Sequence, residues 1–114
     1  MYYYKVEILR VVDGDTVDVR MDLGFNVWHK CRVRLVGINA PESRTRDKEE
    51  KKRGLAAKDW LINILESAQT DIEMQSHGVG KYGRVLGVLY INDVNINDLM
   101  VKEGHAKVYD GGKR

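Results

Sequence analysis

The sequence predicts a mainly β protein with attached helices, of the α+β class, built on a small five-stranded barrel. Three observations support this prediction. The 114 residues make about one domain at roughly 100–200 residues per domain, so we expect a single domain over 1–114 with a core over about 6–108 and a flexible tail over 109–114. The chain is 43% apolar and 32% charged with 11 Gly and one Pro, which excludes a disordered or collagen-like chain. Strand-like patterns fill five segments, and helical periodicity fills two.

The first third of the chain predicts three strands. Residues 6–12 are apolar and β-branched, Asp13-Gly14-Asp15 interrupts them with turn residues, and 16–23 alternates strictly between apolar and polar side chains. This pattern predicts a β-hairpin, since Asp-Gly is a common hairpin turn. A turn over 24–26 follows, and renewed alternation over 27–36 predicts the third strand.

The rest of the chain predicts a helix, two strands and a second helix. Pro41 and the polar run 43–53 end the sheet, and a helix is predicted over 54–68 because apolar residues then recur at helical spacing, namely Ala57, Trp60, Leu61, Ile64, Leu65 and Ala68. Strands are predicted over 71–75 and 85–91, on either side of a glycine-bearing loop over 76–83. Asn95 and Gly104 bracket a second helix over 96–103. This element order includes the OB-type barrel among its options, with two to three helices.

Charge is distributed unevenly along the sequence. The formal net charge is only +2, yet residues 30–53 hold nine basic and four acidic side chains, a local +5 that leaves −3 for the remainder. A solvated loop explains such a run on its own. The alternative is a nucleic-acid-binding rim that includes Lys51 and Lys52.

The cysteine content and the hydropathy of the chain indicate the cellular compartment in which we expect the protein. Cys31 is the sole cysteine, which rules out an intrachain disulfide and fits a reducing compartment. The first 15 residues show no signal-peptide core, and no stretch is apolar for the length that a membrane helix needs. We therefore expect a cytoplasmic monomer without membrane association, while a secreted mature form stays open.

Five polar residues carry the candidate chemistry. Asp13 and Asp15 place two carboxylates at a tight turn, and oxygen ligands of this kind suit a hard divalent cation. Glu42 follows Pro41 just past the third strand, where it can act as a general base, and Arg34 and Arg84 offer planar cations for an anionic transition state. Singly, each residue has a structural explanation in a turn or a surface ion pair. Together they are the parts that metal-assisted phosphodiester cleavage requires.

Five motifs resemble the staphylococcal nuclease, or thermonuclease, family. They are VVDGDTVDV, VRLVGINAPES, GLAAKDWL, KYGRVLG and LMVKEGHAKV, and they occur in the family's order between about residues 6 and 108. The resemblance implies an OB-type barrel and a Ca²⁺-dependent endonuclease that acts on DNA and RNA. It also implies cleavage of the 5′ P–O bond, which leaves 3′-phosphates.

The resemblance also implies roles for individual residues. Asp15 is then the chief Ca²⁺ ligand with Asp13 nearby, Asn39 takes the second ligand position, and Ala40 supplies a backbone carbonyl. Glu42 is implied as the general base or water-positioning carboxylate. Arg34 and Arg84 match the phosphate-binding arginines, and Lys81 and Tyr82 match positions that contact the nucleotide.

Two departures from the family pattern concern the metal and the nucleotide. Asn39 stands where the staphylococcal enzyme has Asp, so the site loses one formal charge, and we expect weaker Ca²⁺ binding. Residues 109–111 do not reproduce the family's nucleotide-contacting tyrosines. The alternative to an enzyme is a silent OB module that binds single-stranded nucleic acid or a protein partner. A phosphodiesterase that uses another divalent metal is a third possibility.

Overall fold

The structure, a computed structural model, describes residues 3–80 and 83–109. Within them it has two helices, α1 (Lys48–Glu66) and α2 (Ile96–Lys102). The eight strands are β1 (Tyr3–Asp13), β2 (Thr16–Asp22), β3 (Trp28–Leu35), β4 (Ile38–Asn39), β5 (Ile72–Val79), β6 (Val85–Ile91), β7 (Val94–Asn95) and β8 (Lys107–Val108). The five strands and two helices predicted from periodicity are all present.

Five strands close into a barrel, which confirms the predicted fold class. The sheet order is β3-β2-β1-β5-β6-β7, and β3 also pairs in parallel with β6, so the barrel closes between β3 and β6. Irregular pairing interrupts β1 at two places on its β2 side, between Ile8 and Arg10 and between Val11 and Asp13. Such bulges bend a strand and let it follow a closed sheet. The short β4 and β8 form a separate antiparallel pair.

The barrel interior is filled by the inward side chains of the strands, and α1 packs on it. Val17, Val19 and Val33 are fully buried, as the period of two along β2 and β3 predicts. Helix α1 contributes buried side chains at the helical spacing seen in the sequence, namely Ala57, Leu61 and Leu65. The described helices include none that is long and apolar enough to cross a membrane.

The predicted start of α1 at residue 54 is wrong, because the helix begins at Lys48. Asp47 caps it by accepting hydrogen bonds from the backbone N–H groups of Glu49 (3.0 Å) and Glu50 (3.3 Å). The first two turns are polar and solvated, so they lack the apolar periodicity on which the prediction rested. The helix also ends at Glu66, which leaves Ala68 outside it.

The predicted end of the fourth strand at residue 75 is also wrong, because β5 continues to Val79. Its backbone stays paired with β6 as far as Val79 opposite Val85, with an irregularity after Ser76. The two-residue strands were not predicted, since two residues show no periodicity. At the other end of the chain, Tyr109 donates its backbone N–H to the carbonyl of Gly37 (2.8 Å). The predicted flexible tail beyond it lies outside the described residues.

Candidate active site

The hairpin turn between β1 and β2 holds two carboxylates that make long-range hydrogen bonds. Asp15 is only 8% exposed. Its Oδ2 accepts the backbone N–H of Ala40 (3.1 Å), and its Oδ1 accepts the hydroxyl of Thr16 (3.1 Å). Asp13 Oδ1 accepts the backbone N–H of Ser43 (3.2 Å). The two aspartates therefore fasten the segment that follows β4 to the turn.

Glu42 lies within that fastened segment. Ala40 and Ser43, which flank Pro41 and Glu42, are the residues held by Asp15 and Asp13. The Glu42 side chain is exposed while the neighbouring Ser43 is buried. The backbone around Glu42 is thus fixed, and its carboxylate reaches solvent, where a water molecule is available to it.

Two glycines allow the close packing that sets this geometry. A Cβ at Gly54 of α1 would lie 2.3 Å from the carbonyl oxygen of Glu42. A Cβ at Gly14 would lie 2.9 Å from the Cβ of Ala40 and 3.0 Å from the Cβ of Ala57. Helix α1, the β1–β2 turn and the segment around Glu42 approach each other so closely that a side chain at Gly14 or Gly54 would force one of them to shift.

Arg34 lies beside Asp15 because of the strand register. It is paired with Thr16 across β2 and β3, and the backbone N–H of Leu35 donates to the carbonyl of Asp15 (2.8 Å). The guanidinium donates to the carbonyls of Leu35 (2.6 Å) and Ile38 (3.0 Å) and lies 3.5 Å from Asp15 Oδ2. Its side chain is 12% exposed, so these contacts fix the orientation of the cation.

Arg84 directly precedes β6, the strand that pairs with β3 along the edge opposite β2. Val33 pairs with Val85 in the parallel ladder, which places position 84 beside position 32 of β3. The residue is half-buried, and its carbonyl accepts the backbone N–H of Gly80 (2.7 Å). The neighbouring Lys81 and Tyr82, predicted to contact nucleotide, lie outside the described residues.

Asn39 reaches the site through the small β4–β8 sheet. It pairs with Lys107, is half-buried, and directly precedes Ala40. The predicted residues Asp13, Asp15, Arg34, Asn39, Ala40 and Glu42 are thus brought to one end of the barrel. Lys51 and Lys52 are exposed in the first turns of α1, just before the glycine that packs on Glu42.

The oxygen donors available at this end are of the types that suit a hard divalent cation. Carboxylate, amide and carbonyl oxygens from Asp13, Asp15, Asn39 and Ala40 are the ligand types that Ca²⁺ and Mg²⁺ take. The contacts of Asp15 with Thr16, Ala40 and Arg34 leave acceptor capacity, because a carboxylate has about four lone-pair positions. Over residues 3–80 and 83–109, no three His, Cys, Asp or Glu side chains are grouped so that they could hold a metal. A cation here therefore needs amide, backbone, water or phosphate oxygens as well.

Sequence reasoning missed the residues that position this site. Thr16 and Ser43 bind the two aspartates, and Gly54 sets the approach of α1, yet none of them was a candidate. A glycine inside a helix is a recognisable signal of close packing, but the predicted helix began at Gly54, so the signal appears only once the helix is known to start at Lys48. The Asp13–Ser43 contact joins residues 30 positions apart, and no local pattern indicates it.

Comparison with known proteins agrees with the motifs. A family model described as "Staphylococcal nuclease homologue" matches residues 32–114. Similar proteins include Protein ParB of Escherichia coli, 34% identical over 113 residues (90% of this chain, 56% of the relative). Micrococcal nuclease of Shigella flexneri is 32% identical over 115 residues (93% and 59%), and thermonuclease of Staphylococcus intermedius is 30% identical over 100 residues (88% and 56%).

The chain thus spans between 56% and 59% of the length of these relatives. The matched segment contains Arg34, Asn39, Glu42 and Arg84, while Asp13 and Asp15 precede it. The alignments with the three relatives cover 88–93% of the chain. The family match covers well over half of the chain. The chain belongs to the staphylococcal nuclease family.

Proposed function

We propose that this chain is a metal-dependent nuclease that hydrolyses the phosphodiester bonds of DNA and RNA. One observation carries the proposal: Asp13 and Asp15 hold both ends of the segment that presents Glu42, while Asp15 also lies 3.5 Å from the guanidinium of Arg34. A water-activating carboxylate and a phosphate-binding cation are thereby positioned around one pair of aspartates. Relatives named micrococcal nuclease and thermonuclease support this reading.

Calcium is the cofactor that we propose, held by Asp15, Asp13, the Asn39 amide oxygen and the Ala40 carbonyl. A bound divalent cation supplies Lewis-acid polarisation of a phosphoryl oxygen and a template for the substrate. The two protein carboxylates also suit Mg²⁺, which binds through one or two carboxylates plus substrate phosphates. The choice of metal is therefore part of the test.

The protein's own side chains account for the proposed proton and charge movements. Glu42 takes a proton from a water whose oxygen forms the new P–O bond, the bond from phosphorus to the 5′ oxygen breaks, and solvent protonates the leaving oxygen. The products are a 3′-phosphate and a 5′-hydroxyl. Arg34 and Arg84 stabilise the negative charge on the phosphoryl oxygens, and Arg34 is already oriented by its backbone contacts.

The direct test is a cleavage assay on single-stranded DNA, duplex DNA and RNA with Ca²⁺, Mg²⁺ or chelator. Glu42→Gln should abolish most of the activity, while Glu73→Gln, an exposed glutamate on β5, serves as the matched control. Arg84→Ala should lower the rate about 100- to 1,000-fold, by analogy with the loss of one preorganised donor. Product ends read by mass spectrometry should carry 3′-phosphates.

Three outcomes would contradict the proposal. Cleavage that persists in chelator excludes the metal, a fully active Glu42→Gln variant excludes its role as base, and a fully active Arg84→Ala variant excludes its role at the phosphate. Nucleic-acid binding without any cleavage would instead support the silent OB module. The uncharged Asn39 is the observation that favours that second function.

A further inference from the structure

The hairpin between β2 and β3 ends in an apolar tip that the fold does not use. The tip consists of Leu23, Phe25, Val27 and Trp28, each of which is substantially exposed. Phe25 is 101% exposed, so its ring contributes no burial to the core. Four large apolar side chains exposed within six residues form a candidate binding surface.

The backbone at this tip is also unfavourable for a phenylalanine. Phe25 has φ +53°, between Gly24 at +86° and Asn26 at +62°. Glycine and asparagine tolerate this left-handed region, whereas a bulky side chain there is strained. The sequence thus keeps an aromatic ring where neither burial nor backbone conformation favours one. Recognition of a ligand explains that choice.

A row of side chains on the outer face of β3 connects this tip to the candidate active site. Trp28, Lys30, Arg32 and Arg34 alternate with the inward Val33 and Leu35, so they share the outward face. Side chains on one face of a strand repeat every ~6.6 Å. This repeat is close to the distance between phosphates in an extended single strand of nucleic acid. The row covers ~20 Å from Arg34 to Trp28.

The charges of this face are complementary to phosphate. Among the paired residues of β1, β2 and β3 on this face, cations outnumber anions by five (Arg10, Arg20, Lys30, Arg32 and Arg34) to four (Glu7, Asp13, Asp18 and Asp22). Two of the anions are paired with arginine, Glu7 with Arg20 (2.6 Å) and Asp18 with Arg32 (2.9 Å). Arg10 and Lys30 line a shallow groove of 310 Å³ between the two ends of the row.

Trp28 is presented as a stacking platform. The guanidinium carbon of Arg20 lies 4.7 Å from the centroid of its ring, which fixes the ring against the sheet. The side chain nevertheless stays 43% exposed. An aromatic ring beside a basic path is the arrangement by which proteins bind unpaired bases.

We propose that a single strand of nucleic acid runs from the active site along the outer face of β3, and that its bases stack on Trp28 and Phe25. This inference rests on the proposed function, because Arg34 at the start of the row binds the scissile phosphate there. The spacing places the stacked bases about three to four nucleotides from the scissile bond. Substrates long enough to reach the tip bind more tightly than short ones, and single strands bind better than duplexes.

The test compares binding of a trinucleotide and a dodecanucleotide by fluorescence anisotropy in a Glu42→Gln background. Phe25→Ala and Trp28→Ala should each weaken dodecanucleotide binding about tenfold and leave trinucleotide binding unchanged. Leu55→Ala, an exposed apolar residue on α1, and Lys102→Ala on α2 are the matched controls. Phe25→Gly should weaken the same binding without lowering the free energy of unfolding, a combination that a structural role for Phe25 does not produce.

The proposal is overturned if both aromatic variants keep the dodecanucleotide affinity, or if the trinucleotide loses affinity equally. It is also overturned if Phe25→Ala instead dissolves a dimer in size-exclusion chromatography, or abolishes binding to vesicles of anionic phospholipid while nucleic-acid binding persists. Length-dependent binding without cleavage in the parent chain would support the path and refute the catalytic proposal. Cleavage that the Phe25 and Trp28 substitutions leave unchanged would support the catalytic proposal and refute the path.

Discussion

Asn39 offers the candidate metal site an oxygen ligand without a negative charge. Its position in β4 is fixed by pairing with Lys107 and by the Asp15–Ala40 hydrogen bond directly after it. Ligand charge is one determinant of affinity for a hard cation. If the site binds Ca²⁺ as proposed, the residue at position 39 should influence the metal concentration that the site needs, independently of Glu42 and the two arginines.

Asn39→Asp should lower the Ca²⁺ concentration for half-maximal nuclease activity about tenfold, because charges ~4 Å apart interact by about 4 kcal/mol at an effective dielectric constant of 20 and dehydration offsets part of this gain. Calcium titration of the cleavage rate measures the shift. Asn63→Asp on the exposed side of α1 makes the same chemical change elsewhere and should have no effect. An unchanged half-maximal concentration in Asn39→Asp would show that residue 39 does not contact the metal.

Gly54→Ala tests how closely α1 approaches the Glu42 segment. The new Cβ would lie 2.3 Å from the Glu42 carbonyl oxygen, and overpacking of this kind costs about 1–3 kcal/mol. Helix propensity alone predicts the opposite sign, a gain of about 1 kcal/mol. Urea unfolding should show lower stability and the cleavage rate should fall, whereas Asp59→Ala on the exposed helix surface should change neither. A stabilised, fully active Gly54→Ala protein would mean that the helix and this segment separate easily.

Residue chemistry alone was enough to name candidates for the site, but not the contacts among them. Asp13, Asp15, Glu42 and the arginines are unusual by type and placement, so the sequence alone named them. The hydrogen bond from the Ser43 backbone N–H to Asp13 depends on tertiary structure, and no local sequence pattern indicates it. Lys51 and Lys52 show the converse limit, because a basic run indicates charge but not which side chains approach the substrate.

The start of α1 carries a capping signal in the sequence that apolar periodicity does not reveal. Asp47 and Glu50 have the spacing of a capping box, and Asp47 does cap the helix. Solvated helical turns need no apolar stripe, and the residues after the cap are polar. Apolar periodicity therefore did not indicate that the helix begins there. Cap residues would have moved the predicted start of α1 from residue 54 to residue 48.

Arg32 of β3 and Asp18 of β2 form an ion pair whose contribution to the stability of the fold depends on pH. The hydrogen bond from Arg32 lowers the pKa of Asp18 below its usual value of 3.8, against the smaller opposing effect of burial. A carboxyl group with a lower pKa in the folded state stabilises the fold above its unfolded pKa, and this contribution disappears as pH falls through the folded pKa. The Arg32 side chain is 50% exposed and that of Asp18 is 25% exposed, so solvent screens the pair and its contribution to stability is small.

Asp18→Asn should therefore lower the free energy of unfolding slightly at pH 7 and flatten its decline below about pH 4. Urea unfolding from pH 7 down to pH 3 measures both effects. Asp59→Asn, on the surface of α1, should retain the slope of the parent chain. If the Asp18→Asn curve kept the parent slope in acid, the pair with Arg32 would not persist in solution.

Closure of the barrel is the feature that the sequence predicted least directly. Alternation located β2 and β3, and apolar runs located β1 and β6, because each pattern is local. The parallel contact that closes the barrel rests on three residue pairs between β3 and β6, and local patterns do not specify which strands pair. The barrel was predicted from element order and chain length, which leaves its register to packing and buried polar contacts.

Asn97 supplies the buried polar contact at this closure. The side chain is 2% exposed; its Oδ1 accepts the backbone N–H of Leu89 (3.2 Å), and its Nδ2 donates to the carbonyls of Val36 (2.9 Å) and Gly87 (3.2 Å). Because Val36 lies between Leu35 and Ile38, whose carbonyls orient Arg34, the same amide supports the candidate active site.

Asn97→Ala should lower the free energy of unfolding by roughly 3 kcal/mol, since each buried group left without a partner costs about 1–3 kcal/mol. Asn95→Ala, which removes the α2 cap to Asp98 and the partly exposed contact with Tyr90, should cost about 1 kcal/mol. Urea unfolding separates the two costs, and hydrogen exchange should show lost protection at the amide of Leu89. If the two variants unfolded alike, closure of the barrel would depend on apolar packing alone, and Arg34 would not depend on Asn97 for its position.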